Sequence, residues 1–110
     1  KNISRSLSLK NVANISSRSI NLRRYGHIVV LDFYAICPQS VPSGQDVVIA
    51  DGLPKPIAYA VTTLCGNPGG GAGGLRVGVN NNGQLVYWWV MSGIDLESSY
   101  NGQLVYFTND

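Results

Sequence analysis

Leu75-Arg76-Val77-Gly78-Val79-Asn80-Asn81-Asn82-Gly83-Gln84-Leu85-Val86-Tyr87-Trp88-Trp89-Val90-Met91 is the stretch that decides the fold. Leu75, Val77 and Val79 alternate with Arg76 and Gly78, the two-residue period of a strand with one face buried. Asn81-Asn82-Gly83 then predicts a tight hairpin of type I′, whose two central residues need positive φ, which Asn and Gly tolerate. Gln84 to Met91 pairs back along the first strand. An amphipathic helix would need apolar residues three and four apart, and no segment of the chain keeps that spacing beyond about two turns.

The same alternation runs outward from this hairpin. Upstream, Leu7–Val12 opens with Leu7 and Leu9 between polar residues, and Ile20 and Leu22 interleave with Ser19, Asn21 and Arg23. Tyr25-Gly26 reads as a turn, and His27 to Ile36 is the longest apolar strand. Val29, Leu31, Phe33 and Ala35 share one of its faces, with Ile28, Val30, Asp32 and Tyr34 on the other. Val47–Ala50 and Ile57–Leu64 follow, separated by proline- and glycine-bearing breaks. A glycine-rich loop, Gly66 to Gly74, leads into the hairpin, and Gln103–Phe107 closes the chain after a loop from Ser92 to Tyr100. Asn82-Gly83-Gln84-Leu85-Val86-Tyr87 recurs as Asn101-Gly102-Gln103-Leu104-Val105-Tyr106, which predicts two strands entered from the same kind of Asn-Gly turn. About eight short strands punctuated by turns predict an all-β, antiparallel β-sandwich or jelly-roll-like domain. Residues 1–110 make one such domain.

Composition narrows the function classes. Hydrophobic residues are 45% of the chain and charged residues only 13%, against about 25% in ordinary soluble domains. Neutral polar groups therefore wet the surface, as in many extracellular and virion proteins. Lys1, Arg5, Lys10, Arg18, Arg23 and Arg24 all precede the first acid, Asp32. A basic arm of that kind suits a nucleic acid, but these residues are spread among alternating apolar ones, as on solvated strand faces, so no nucleic-acid partner is expected. No apolar run approaches the roughly 18 residues of a membrane-spanning helix. The chain opens at Lys1 with neither an initiator Met nor a secretory leader, which predicts the C-terminal part of a longer protein.

Catalytic chemistry finds little to work with. One histidine, His27, and two cysteines, Cys37 and Cys65, fall short of the roughly four ligands of a zinc site. A Cys37–Cys65 disulfide is compatible with the sequence, but two buried reduced thiols on adjacent strands suit assembly in a cytoplasm better. His27 precedes an apolar run and no Gly-x-Ser-x-Gly elbow exists to pair with it. Asp95 and Glu97 share a face in an extended segment, the arrangement of a glycosidase pair, yet they also fit a solvated acidic loop beside Ser98 and Ser99. Gly69 to Gly74 matches G-x-G-x-x-G, but a strand follows it rather than the helix that a dinucleotide phosphate needs. No enzyme activity and no cofactor are expected.

Binding fares better. Leu85, Tyr87, Trp89 and Met91 line one face of their strand while Val86, Trp88 and Val90 line the other, and Leu104 to Phe107 is again apolar on both sides. Two apolar faces predict that the second is covered, either by a partner chain or by the chain's own N-terminal strands. Trp88 and Trp89 point oppositely, so one of them faces a subunit or a ligand.

Ser19-Ile20-Asn21-Leu22-Arg23-Arg24-Tyr25-Gly26-His27-Ile28-Val29-Val30-Leu31 resembles the entry to head domains of bacteriophage tail fibres and receptor-binding proteins from phages of Gram-positive hosts. The resemblance continues through Ile49-Ala50-Asp51-Gly52-Leu53-Pro54-Lys55-Pro56 and the Asn-Gly hairpin at 79–87, and covers most of residues 15–107. It is one of pattern and segment order, and no binding motif carries over. It implies a homotrimeric β-sandwich head in the virion, attached to a host surface polysaccharide or teichoic acid. A purely structural baseplate, fibre or capsid-decoration domain is the alternative. Within this picture the expected ligand site is Asp95 and Tyr100, in the loop joining the echoing strands, with Trp88 as a second aromatic platform.

Overall fold

The computed structural model describes residues 2–10, 15–38, 47–66, 74–89 and 99–110, with backbone alone at 15–18 and 88–89. Eight strands succeed one another: β1 (Asn2–Ser6), β2 (Ile15–Tyr25), β3 (Ile28–Pro38), β4 (Val47–Ala50), β5 (Ala60–Gly66), β6 (Gly74–Val79), β7 (Leu85–Trp89) and β8 (Tyr100–Phe107). All their pairings are antiparallel, and no helix occurs among the described residues. The domain is all-β, as the alternation predicts. Hydrogen bonds join the eight strands into one curled sheet, ordered β1-β2-β3-β8-β5-β6-β7-β4. Among the described residues there is no division into the two sheets of a sandwich.

Curling lets one face of the sheet enclose a single core. Leu22, Leu31, Ile36, Leu64, Leu75 and Tyr87 are all fully buried within it. Residues 7–10 lace the two ends of the sheet together. Leu7 N–H donates to Ile20 O at 2.9 Å on β2, and Lys10 N–H donates to Ile49 O at 2.7 Å on β4. Lys10 Nζ also meets Asp51 Oδ2 at 2.7 Å, and Leu7 and Leu9 pack against the core.

Four local expectations are corrected. The first strand is Asn2–Ser6; residues 7–10 of the expected Leu7–Val12 segment are outside any strand, and 11–12 lie outside the described residues. β1 is exposed along its whole length and is held by backbone pairing with β2. In the 80–84 turn only Gly83 has positive φ, +73°. Gly83 N–H donates to Asn80 O and Asn80 N–H to Gln84 O, both at 3.0 Å, so a type I turn followed by a left-handed glycine replaces type I′. Asn101-Gly102 is not a turn at all but lies inside β8. Gly102 packs closely there: a Cβ would stand 2.9 Å from Leu64 Cδ2, so that the Leu64 side chain would have to shift.

The fourth correction bears on the site. The β3–β8 register slips between Phe33 and Ile36, so that Tyr34 and Ala35 bulge. The buried residues of β3 are therefore Val29, Leu31 and Phe33, then Ile36 and Pro38, with Ala35 only half-buried. Ala35 takes φ 57°, a left-handed conformation that an L-residue adopts at a cost of about 1–2 kcal/mol. Its N–H is held at 2.8 Å by Asn101 Oδ1.

Candidate functional site

The convex face of the β2-β3-β8 region is read directly from the register. Alternate residues point away from the core, and cross-strand partners form rows: Tyr25, Ile28 and Phe107; Arg23, Val30 and Val105; Asn21, Asp32 and Gln103; then Ser19 and Tyr34. Two zones result.

The first zone, at the β2–β3 turn, is apolar. Phe107 is 59% exposed and Val105 56%. Beside them the β5–β8 ladder is confined to Cys65↔Asn101 and Gly66↔Tyr100, with a second tie where Ile57 N–H donates to Phe107 O at 2.9 Å. Between these ties lies a cleft of about 390 Å³ lined by Ile57, Ala58, Ala60, Val61, Leu104, Val105, Tyr106 and Phe107. Large apolar side chains left in water are unremarkable singly, but a contiguous group marks a contact surface. Ile57, at 61%, and Val61, at 43%, extend it onto the β5 side.

The second zone is polar and built on Asp32. Its carboxylate accepts from Arg23 Nε at 2.8 Å and Arg23 Nη2 at 3.1 Å, a two-pronged ion pair, and from Gln103 Nε2 at 2.7 Å. Arg23 Nη1 reaches on to Tyr25 Oη at 3.3 Å. The Asp32 hydrogen bond, then that to Tyr25, holds the guanidinium pKa above its ordinary value. Tyr34 stands next along β3, 60% exposed.

The residues expected to bind ligand fall differently. Tyr100 is fully buried, so its ring is no stacking surface. It lies in the phase of β8 that faces the core, together with Leu104 and Tyr106. Asp95 and its neighbour Glu97 lie outside the described residues. Trp88 is paired through its backbone with Arg76, but its side chain lies outside them too. Val86, on the β7 face expected to need a partner, is buried within the chain.

The candidate catalytic groups are dispersed. His27 Nδ1 lies 2.9 Å from Thr108 O, where only an N–H can bond, so that nitrogen carries the proton. Neither Cys37 nor Cys65 is in a disulfide, and neither is buried: Cys37 is half-buried and Cys65 exposed. They stand on β3 and β5, which β8 separates, not on adjacent strands. Among the described residues no group of three His, Cys, Asp or Glu side chains converges to hold a metal.

The N-terminal basic side chains among the described residues are also spoken for. Arg5 donates to Gly52 O, Lys10 pairs with Asp51, and Arg24 donates to Gly26 O and Asp110 O. A second cleft, of about 310 Å³, lies beside Ile3, Arg24, Gly26 and His27, where the Arg24 guanidinium is held by those two carbonyls. Nothing in the sequence alone pointed to Arg23, Asp32 and Gln103 as one cluster, because only the register brings them together. No protein-family model matches the chain, nor does any curated protein sequence.

Proposed function

We propose that this chain is a non-enzymatic adhesion head of the bacteriophage tail-fibre kind, working as a homotrimer in the virion and attaching to host cell-wall saccharide. The observation that carries the oligomeric part is the exposed apolar zone of Ile28, Ile57, Val61, Val105 and Phe107. A second copy of the chain suits it because Arg23 and Asp32, which lie alongside, already neutralise each other. Like copies can then approach without repulsion. A phenylalanine buries about 150–250 Å² when fully covered. Covering the exposed 59% of Phe107 removes on the order of 100 Å² from water, about 2.5 kcal/mol at 25 cal/mol/Å². Val105 adds a smaller amount, and several such contributions are needed to offset the freedom lost on association.

Adhesion draws support from the neutral polar surface, the resemblance in segment order, and the aromatic and amide groups beside the apolar zone. The test combines mass and binding. Light scattering at micromolar concentration should give a trimer for the native chain and a monomer for Val105→Ser/Phe107→Ser. The native trimer should retain Gram-positive cells or their purified wall polysaccharide on a surface. A native monomer refutes the trimer, and failure to bind any wall fraction refutes adhesion in favour of a structural fibre or baseplate domain.

A further inference from the structure

We infer that Tyr34, Asp32 and Gln103, on the convex face at the bulged end of β3, form a subsite for a neutral saccharide. The inference rests on the adhesion reading above and replaces the residues that the sequence alone suggested for the site.

Three features converge there. Tyr34 presents an aromatic ring that is 60% exposed. A ring face of this kind packs against the C–H surface of a pyranose. Asp32, two residues away on the same side of β3, sits about 7 Å along the strand, the span of one sugar ring with its hydroxyls. The bulge supplies the third feature. Bulges re-aim side chains and recur beside sites, and Ala35 is held there in a left-handed conformation, φ 57°, by the Asn101 side chain. Strain of that kind persists only where the surroundings over-determine it.

The polar groups are already fixed for such a ligand. An ionised carboxylate offers about four lone-pair positions, and Arg23 and Gln103 take three of them on Asp32. Arg23 has five N–H donors, of which three are engaged, with Asp32 and Tyr25. An acceptor and two donors are thus left in a rigid array, together with the Gln103 carbonyl oxygen. Vicinal hydroxyls, each both donor and acceptor, match that set. The Arg23–Asp32 pair cancels its own charge, which selects a neutral sugar over a phosphate-bearing one. Asp32 and Gln103 border the apolar zone, each two residues from Val30 or Val105, while Tyr34 is six residues from Ile28 along β3, about 20 Å. The ring of Tyr34 therefore stays open to a saccharide when a trimer contact covers Ile28, Val105 and Phe107.

Few hydrogen bonds survive competition with water, so one subsite binds in the millimolar range and three act together by avidity. The test uses the whole chain and its adhesion to Gram-positive cells, with N-acetylglucosamine, glucose and galactose as soluble probes in ¹⁵N NMR titrations. Tyr34→Ala and Gln103→Ala should each weaken cell retention by about 10-fold or more, with the trimer mass and circular dichroism unchanged. Tyr34→Trp should restore retention, and whichever probe binds should shift the Gln103 side-chain amide and the Tyr34 and Ala35 backbone amides. Full retention by both folded alanine variants overturns the subsite and leaves adhesion standing. Probe shifts confined to other residues do the same. If the native chain holds neither cells nor any probe, adhesion and subsite fall together.

Discussion

Adding a single methyl group at Gly83 tests how the hairpin is locked to the rest of the sheet. Gly83 has φ +73°, and a Cβ there would stand 2.4 Å from Leu53 O and 3.4 Å from Leu53 C. Both obstacles are backbone atoms, so no rotamer change relieves them. Gly83 O in turn accepts from Leu53 N–H at 3.0 Å, and moving the segment away stretches that bond. Gly83→Ala therefore combines a left-handed penalty of about 1–2 kcal/mol with the loss of a hydrogen bond worth about 0.5–1.5 kcal/mol. The expected destabilisation is about 2–3 kcal/mol, a large share of a typical domain's 5–15 kcal/mol. Gly52→Ala is the matched control, because Gly52 has φ +75° but nothing within 4 Å of its would-be Cβ. It should show the left-handed penalty alone. Urea unfolding followed by tryptophan fluorescence at one fixed protein concentration measures both, since an oligomer's midpoint depends on concentration. Equal losses in the two variants would refute the steric account of the Leu53–Gly83 contact.

Two further outcomes follow from local features. Ala35→Gly removes the left-handed penalty at the β3 bulge but frees the unfolded chain by about 0.5–1 kcal/mol. The stability should hold or rise by up to about 1.5 kcal/mol, and a clear loss would mean that Ala35 is not strained. The Asp51 carboxyl lies below the usual carboxylate range, first because it accepts from Lys10 and, less, because Gln84 Nε2 donates to it, with desolvation opposing. A depressed folded-state value gives stability that is present above the unfolded value, roughly pH 4, and is lost as pH falls through the lower folded one. The advantage of the native chain over Asp51→Asn should thus shrink below about pH 4. A difference that stays constant down to pH 2.5, roughly 1.5 units under the unfolded value, would show that the tie between residues 7–10 and β4 does not depend on this charge.

The sequence disclosed what burial controls and hid what register controls. β3, β4, β6 and β7 all surface as alternating or β-branched runs, because their inward residues enter one core. β1 escapes that signal: every residue in it is exposed, so nothing in Asn2-Ile3-Ser4-Arg5-Ser6 alternates with burial. Leu7 and Leu9 do alternate, and they do pack on the core, but as a lacing segment rather than a strand. Asn101-Gly102 misleads for a different reason. The same dipeptide that ends in a left-handed glycine at Gly83 is in mid-strand at Gly102, where it packs closely on the Leu64 side chain. Without that distinction β8 seems to begin at Gln103, and Tyr100 looks like a loop aromatic instead of a core residue.

The same cause explains why the candidate site moved. The sequence placed Ile28, Val30, Asp32 and Tyr34 on one face of β3, and there the structure agrees through Tyr34. What it lacked was which residues lie alongside. Arg23 is nine residues from Asp32 and Gln103 seventy-one, and only the antiparallel register of β2, β3 and β8 brings the three together. A one-residue slip would turn Gln103 inward and Leu104 outward, leaving Asp32 without its amide partner. The burial of Leu104 and Tyr106 against the core is what forbids that slip. The apolar phase of β8 thus fixes the polar cluster on its opposite side, and a variant that loosens the core there, such as Leu104→Ala, should weaken the Asp32–Gln103 contact without touching either residue. Loss of protection of the Gln103 side-chain amide against hydrogen exchange would show the coupling; unchanged protection in a destabilised variant would show that Arg23 and Asp32 hold Gln103 by themselves.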